Sequence, residues 1–205
     1  MVALIDTTIT SGCDATMRGM FAARKEVFVD LLGWQVPVLD GRYEIDQFDD
    51  EHARYLIVTD LTCGHLASAR LLPTVRPHIL DTLFPALCAG RVPRGPETFE
   101  ITRFCLDRRL PAARRRDMRN RLVTALVVHA LANDIRTYTG VAEPVWLDQI
   151  LKFGWDAGPL GQVLRDRTQT LGALRIQITP ATPSLLAQTG IWSPTEPLSA
   201  AAVCA

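Results

Sequence analysis

Two arginines stand where a folded chain does not readily tolerate a charge. Arg24 lies four residues from both Met20 and Phe28, in a segment whose apolar residues recur at i, i+3 and i+4. It therefore falls inside the apolar stripe of a helix rather than on its solvated face. Arg70 shares one face of an alternating segment with Leu66 and Ser68. A guanidinium buried in this way needs an anionic partner, and for Arg24 the sequence offers Asp46 or Glu100. Around these two the chain threads Phe28, Trp34, Glu44, Asp46, Phe48, Asp49, Glu100, Arg103 and Phe104. Carboxylates of this kind can accept protons, guanidiniums can hold anions, and aromatic faces can hold cations or rings.

Other readings of the same residues compete. The acidic run 46–52 lacks the glycine and the twelve-residue spacing of a calcium loop, and one histidine beside carboxylates does not make a zinc site. It can equally be a solvated loop. Phe28 can be plain core, and strict alternation along 98–106 sends Glu100 and Arg103 to opposite faces unless a bulge intervenes. Residues 108–121 hold seven arginines against one acid, which is a solvated helix face or a patch for an anionic partner.

The elements that must carry these residues follow from periodicity. An amphipathic helix is predicted from Asp14, as N-cap, to Gly33. A loop covers 35–51, and 53–59 and 65–72 form a hairpin ended by Pro73. A strand follows over 98–106, a helix over 113–133, a strand over 136–142, a helix from Pro144 to Gly154, and two strands near 162–166 and 173–179. This order predicts an α/β fold with a mixed central sheet and helices on both faces.

With 205 residues, 48% hydrophobic and 21% charged, the chain is long enough for one core and excludes a disordered or fibrous class. A single domain over 1–205 is expected, with 1–14 and 193–205 flexible. Net charge is zero, so nucleic acid is not favoured as a partner. Five cysteines without a C-x-x-C pair read as reduced thiols. No segment reads as membrane-inserting, and a cytoplasmic location is expected.

R-x-x-x-F-x-x-x-x-x-W from Arg24, E-x-D-x-F-D from Glu44, A-R-L-L-P-T from Ala69 and E-I-T-R-F from Glu100 closely resemble the motifs of the acyl-homoserine lactone synthases, the autoinducer synthases of bacterial quorum sensing. The resemblance runs from about residue 24 to 161 and implies a GCN5-type N-acetyltransferase-like fold. It implies transfer of an acyl chain from an acyl carrier protein, or from acyl-coenzyme A, to the amine of S-adenosylmethionine, with lactonisation and release of methylthioadenosine. No cofactor or metal is implied, since adenosylmethionine is a substrate.

Carried over by that resemblance, Glu100 and Asp46 are the candidate bases and Arg103 a stabiliser of the oxyanion. Arg24, Phe28, Trp34, Asp49, Arg70 and Phe104 are assigned to substrate binding. Gly140 and Val141 are assigned to the acyl chain, with Trp146, Leu147, Ile150 and Leu151 as further tunnel candidates. Arg114, Arg115 and Arg116 suit an acidic carrier protein. A related N-acyltransferase acting on another amine, or a non-catalytic ligand-binding relative, are the alternatives.

Overall fold

The protein is described here by a computed structural model, in which residues 2–6, 14–165, 169–193 and 199–200 are described. The chain divides into two compact units, one comprising Met1–Leu71, Arg103–Ala125 and Ser193–Ala205, the other Leu72–Thr102 and Leu126–Trp192.

In the first unit, β1 (Val2–Asp6) pairs antiparallel with β4 (Arg54–Thr59), Val2 opposite Val58, and parallel with β11 (Ser199–Ala200). These two strands fall within termini expected to be flexible; of the rest of those termini only Asp14, which begins the first helix, and Ser193 are described. Strand β4 pairs antiparallel with β5 (His65–Pro73), whose first eight residues are all buried. The run RYLIVT explains the hairpin, because β-branched and aromatic side chains fit a pleated, buried surface. Pro73 is the last residue of β5 rather than the first beyond it.

Helix α1 (Asp14–Arg24) does not continue regularly to Gly33. From Lys25 to Leu31 it widens into a π-helix, with the N–H of Leu32 reaching the carbonyl of Val27 at 3.0 Å. That changes the residues per turn, so the apolar phase read from the sequence slips after Arg24. Met20 and Phe28 are buried as expected, while Leu31 and Leu32 are 57% and 45% exposed. The segment 35–51 carries a two-residue ladder of β2 (Val38–Leu39) and β3 (Tyr43–Glu44), and Glu44 is fully buried.

In the second unit, α2 (Ile79–Thr82) opens on His78 as N-cap, within a proline-rich stretch that shows no helical period. Strand β6 (Thr98–Leu106) begins in this unit, where it pairs parallel with β7 (Thr137–Ala142) from Thr98↔Thr137 to Ile101↔Gly140, and its residues from Arg103 onward belong to the first. Strand β7 pairs antiparallel with β10 (Thr170–Gln177), which also pairs with β8 (Asp156–Pro159) and β9 (Leu164–Arg165). The strand predicted over 162–166 is present as the two residues of β9, β8 was not predicted, and Asp166 is outside the described residues. Helix α4 (Pro144–Leu151) starts on its proline, and α5 (Thr182–Gln188) is a helix the sequence reading missed. The long helix α3 (Ala112–Ala132) begins in the first unit and ends in the second. No helix among the described residues is long and apolar enough to cross a membrane.

Cys63 is disulfide-bonded while Cys88 and Cys105 are free, so the expectation of reduced thiols fails at Cys63. Spacing along a chain does not report which residues the fold brings together.

Candidate active site

The buried charges of the first unit close into a ring. Arg24 donates through Nε to Glu44 at 2.5 Å and through both Nη atoms to Asp49 at 2.8 Å each. Arg103 donates to Glu44 at 2.9 Å and to Asp46 at 2.7 Å. Arg70 forks onto Asp46 at 2.6 and 3.0 Å and lies 2.8 Å from Asp49. The order is Arg24, Glu44, Arg103, Asp46, Arg70, Asp49 and back to Arg24, with the charges alternating and summing to zero. The planar five-donor guanidinium permits this, since each arginine can address two carboxylates at once.

This arrangement corrects the pairing expected for Arg24, whose carboxylate partners are Glu44 and Asp49 rather than Asp46 or Glu100. Glu44 belongs to the E-x-D-x-F-D motif but was not singled out as a site residue, and the signal that could have found it was its place in that motif. Tyr55 was also missed. It donates its hydroxyl to Asp49 at 2.7 Å from the middle of an apolar strand, where only its type distinguishes it from core.

Burial raises the pKa of Asp46, but the hydrogen bonds and charge of Arg70 and the charge of Arg103 outweigh it and hold the carboxyl below its ordinary value. The same holds for Asp49, where burial is outweighed by Arg24 and Arg70. Asp46 Oδ1 accepts from Arg70 and the Phe48 N–H, and Oδ2 from Arg70 and Arg103. With two donors on each oxygen, Asp46 has little capacity left for a substrate proton. Asp49 is similarly occupied, taking in addition the N–H of Asp46 and the Tyr55 hydroxyl.

Arg103 differs from its neighbours. Its backbone sits at φ +50°, a region that costs a non-glycine residue energy and breaks the alternation of a strand. Alternation alone would not have given its orientation. Its side chain is 9% exposed, against 0% for Arg24 and Arg70. Its guanidinium lies 5.6 Å from the Phe28 ring and 5.7 Å from that of Trp34, and the two rings stack at 4.7 Å. Phe28 is buried with Ala23 and Cys105, whereas Trp34 is half-buried. Phe104 is also half-buried.

In the second unit Glu100 is fully buried and accepts the N–H of Leu80 at 3.0 and 3.3 Å on its two oxygens. Gly140 sits where an added Cβ would lie 3.3 Å from the Ile101 carbonyl, so the parallel ladder leaves little room for a side chain. Val141 packs on a buried apolar cluster of Leu80, Leu87, Leu171 and Ala173, with Phe84 and Cys88 beside it. Trp146 instead packs edge-on against Phe153, ring centres 5.8 Å apart. Arg114, Arg115 and Arg116 are exposed in the first turns of α3. No cluster of three or more metal-ligating side chains occurs among the described residues.

The fold is similar to that of a putative N-acetyltransferase from Lactobacillus plantarum, which superposes with a TM-score of 0.58 at 13% identity, covering 87% of this chain and 98% of that one. The autoinducer synthase family model matches residues 9–182, and the chain belongs to that family. It is 44% identical over 90 residues to an acyl-homoserine-lactone synthase of Pseudomonas fluorescens, covering 43% of this chain and 45% of that protein. The chain spans about half the length of these curated relatives. The structure of the CoA-dependent acyl-homoserine lactone synthase BjaI, with SAM and isopentyl-CoA, superposes with a TM-score of 0.83 at 26% identity, covering 95% of this chain and 90% of that one.

Proposed function

We propose that the chain is an acyl-homoserine lactone synthase that acylates the amine of S-adenosylmethionine from an acyl thioester and then closes the lactone. The observation that carries this reading is the neutral ring of three arginines and three carboxylates, with the Phe28–Trp34 stack against its one partly exposed guanidinium. Adenosylmethionine presents an adenine ring, a sulfonium, an amine and a carboxylate. The half-buried face of Trp34 suits the ring or the cation. Arg103 Nη1, which makes no hydrogen bond among the described residues, suits the carboxylate or the oxyanion of the thioester. Arg24, Arg70, Asp46 and Asp49 then act by holding Arg103 and the helix that carries Phe28.

In the first step the neutral amine attacks the thioester carbonyl, the C–N bond forms, and the C–S bond breaks. The amine proton passes to a base and the departing thiolate is protonated. A free α-amine has a pKa of about 7.7–8.0, so modest assistance suffices. With Asp46 occupied by two arginines, Glu100 is the base in this reading. In the second step the substrate carboxylate attacks the carbon that bears the sulfonium, and that carbon–sulfur bond breaks. The new C–O bond closes the ring and sulfur keeps the electron pair, giving methylthioadenosine. That closure needs the chain held folded rather than a further catalyst. No cofactor beyond the substrates is required, the thioester comes from an acyl carrier protein or coenzyme A, and both substrates place the enzyme in the cytoplasm.

Purified protein, adenosylmethionine and a panel of acyl thioesters, followed by mass spectrometry, test this reading. An N-acyl homoserine lactone is expected. Acylation of a different amine would favour the related N-acyltransferase, and binding of adenosylmethionine without product would favour a non-catalytic relative.

A further inference from the structure

We propose that Asp81 and Arg94, in the segment joining β5 to β6, are positioning residues for Glu100, holding the backbone N–H of Leu80 against its carboxylate. This rests on the function proposed above, in which Glu100 is the base. All the residues concerned belong to the second unit. Glu100 is fully buried and takes the Leu80 N–H on both oxygens. A glutamate has several torsions to fix, and a base acts only within hydrogen-bond reach of the proton it removes. The donor is itself anchored, because the Leu80 side chain is buried in one cluster with Leu87, Leu171 and Ala173.

What aims that N–H is a circuit of hydrogen bonds that starts and ends on β6. Thr74, which is fully buried, donates to the Thr98 carbonyl through its hydroxyl at 2.8 Å and through its N–H at 3.3 Å. Arg94 clasps the chain just beyond. Its Nε donates to the Thr74 carbonyl at 2.9 Å, its Nη2 to the Val75 carbonyl at 3.3 Å, and its Nη1 lies 3.2 Å from Asp81. Asp81 in turn accepts the N–H of His78 at 2.8 Å, which closes the turn holding Leu80. The buried His78 ring places Nδ1 at 2.9 Å from the Arg76 carbonyl. A carbonyl only accepts, so Nδ1 carries the proton and the ring is fixed in the same turn. The path runs from Thr98 through Thr74, Arg94, Asp81 and Leu80 to Glu100, which follows Thr98 closely on the same strand. Asp81 and Arg94 are 14% and 49% exposed at their side chains. As an ordinary surface pair they would contribute little stability and leave the pH dependence of the rate untouched.

The test is the pH–rate profile of kcat for acyl transfer by the full chain, followed by thiol release with product identified by mass spectrometry. The parent is compared with Asp81→Ala, Asp81→Asn and Arg94→Met. An asparagine oxygen can still accept the His78 N–H, whereas alanine cannot. Asp81→Ala should lower kcat near pH 7 by about tenfold. It should also move the acid limb to higher pH by about half a unit or more, because a carboxylate that loses donors takes up a proton more readily. Asp81→Asn should restore most of both, and Arg94→Met should give a smaller shift of the same sign. KM for adenosylmethionine, whose candidate partners belong to the first unit, should stay within about twofold of the parent. In a Glu100→Gln background no titrating carboxylate remains at that position, so adding Asp81→Ala should cost less than about twofold. Melting temperatures show which variants fold; if Asp81→Ala does not, the acid limb of Arg94→Met decides. An acid limb unmoved in every folded variant, or an equal loss in the Glu100→Gln background, overturns the proposal. If lactone forms and the limb does not move, the proposal fails and the synthase reading stands. If the limb moves but the acylated product is not a lactone, the positioning role stands and the synthase reading fails. A parent that transfers no acyl group overturns both.

Discussion

Replacing Arg24 with alanine opens the charged ring at one point, and the structure allows its cost to be worked out. Three hydrogen bonds of 2.5, 2.8 and 2.8 Å disappear, all made by a side chain with no solvent exposure. Glu44 and Asp49 stay buried with their charge only partly covered, by Arg103 and Arg70 respectively. Breaking a buried pair by removing one partner costs about 3–5 kcal/mol. For a chain of this size each kcal/mol lowers Tm by about 2–4 °C, so a fall of roughly 6–20 °C is expected by scanning calorimetry. Arg24→Lys should recover only part of it, because one ammonium cannot fork onto two carboxylates. The acid limb supplies a second readout. Asp46 and Asp49 have folded pKa values below their unfolded ones, so their stabilisation is present above the unfolded value of about 3.9. It is lost as pH falls through the lowered folded values. Arg24→Ala removes a main cause of the shift at Asp49 and should move acid unfolding to higher pH. A variant that melts within about 2 °C of the parent, with an unchanged acid limb, would refute the ring as the element that fixes this unit.

Glu100→Gln keeps the Leu80 N–H contact but removes the basic charge, so acylation at neutral pH should fall about 100-fold. Much of that loss should return as the amine deprotonates at higher pH; a pH–rate profile with no recovery would leave Glu100 a purely structural acceptor. Trp34→Ala should raise KM for adenosylmethionine far more than it lowers kcat, measured by initial rates, and an unchanged KM would remove the stack from the substrate site. Burial lowers the pKa of His65 to about 4, with Asp107 opposing. The unfolded chain therefore binds the extra proton, and stability should decline as pH drops from about 6.5 to 4, with a slope of at most about 1.4 kcal/mol per unit. His65→Gln should flatten that part of the denaturant-midpoint profile, and an unaltered slope would show that other groups cause it.

How far the sequence reached depended on which physical signal was local. Strand β6 was legible to the residue, because TFEITRFCL is bounded by turn-forming residues and rich in β-branched and aromatic side chains. Helix α3 was legible to within one residue at each end from its apolar period. The burial of Arg24 and Arg70 followed from apolar neighbours, but their partners did not, since carboxylate choice depends on how segments 20 and more residues apart are brought together. The turn of Arg103 rests on one unusual φ, and the widening of the first helix on a change of hydrogen-bonding pattern; neither has a compositional mark. Strand β1 was missed because five residues paired across to β4 show no period of their own, and the disulfide at Cys63 because the pairing is tertiary.

The most direct measurement of the central claim uses adenosylmethionine labelled in its amine nitrogen and carboxyl carbon, incubated with the purified chain and an acyl thioester. Liquid chromatography with mass detection then quantifies the products. The account predicts an acylated lactone carrying both labels, formed in amounts equal to methylthioadenosine and to the released thiol. Release of thiol without labelled lactone, or methylthioadenosine formed with no acylated product, would contradict it.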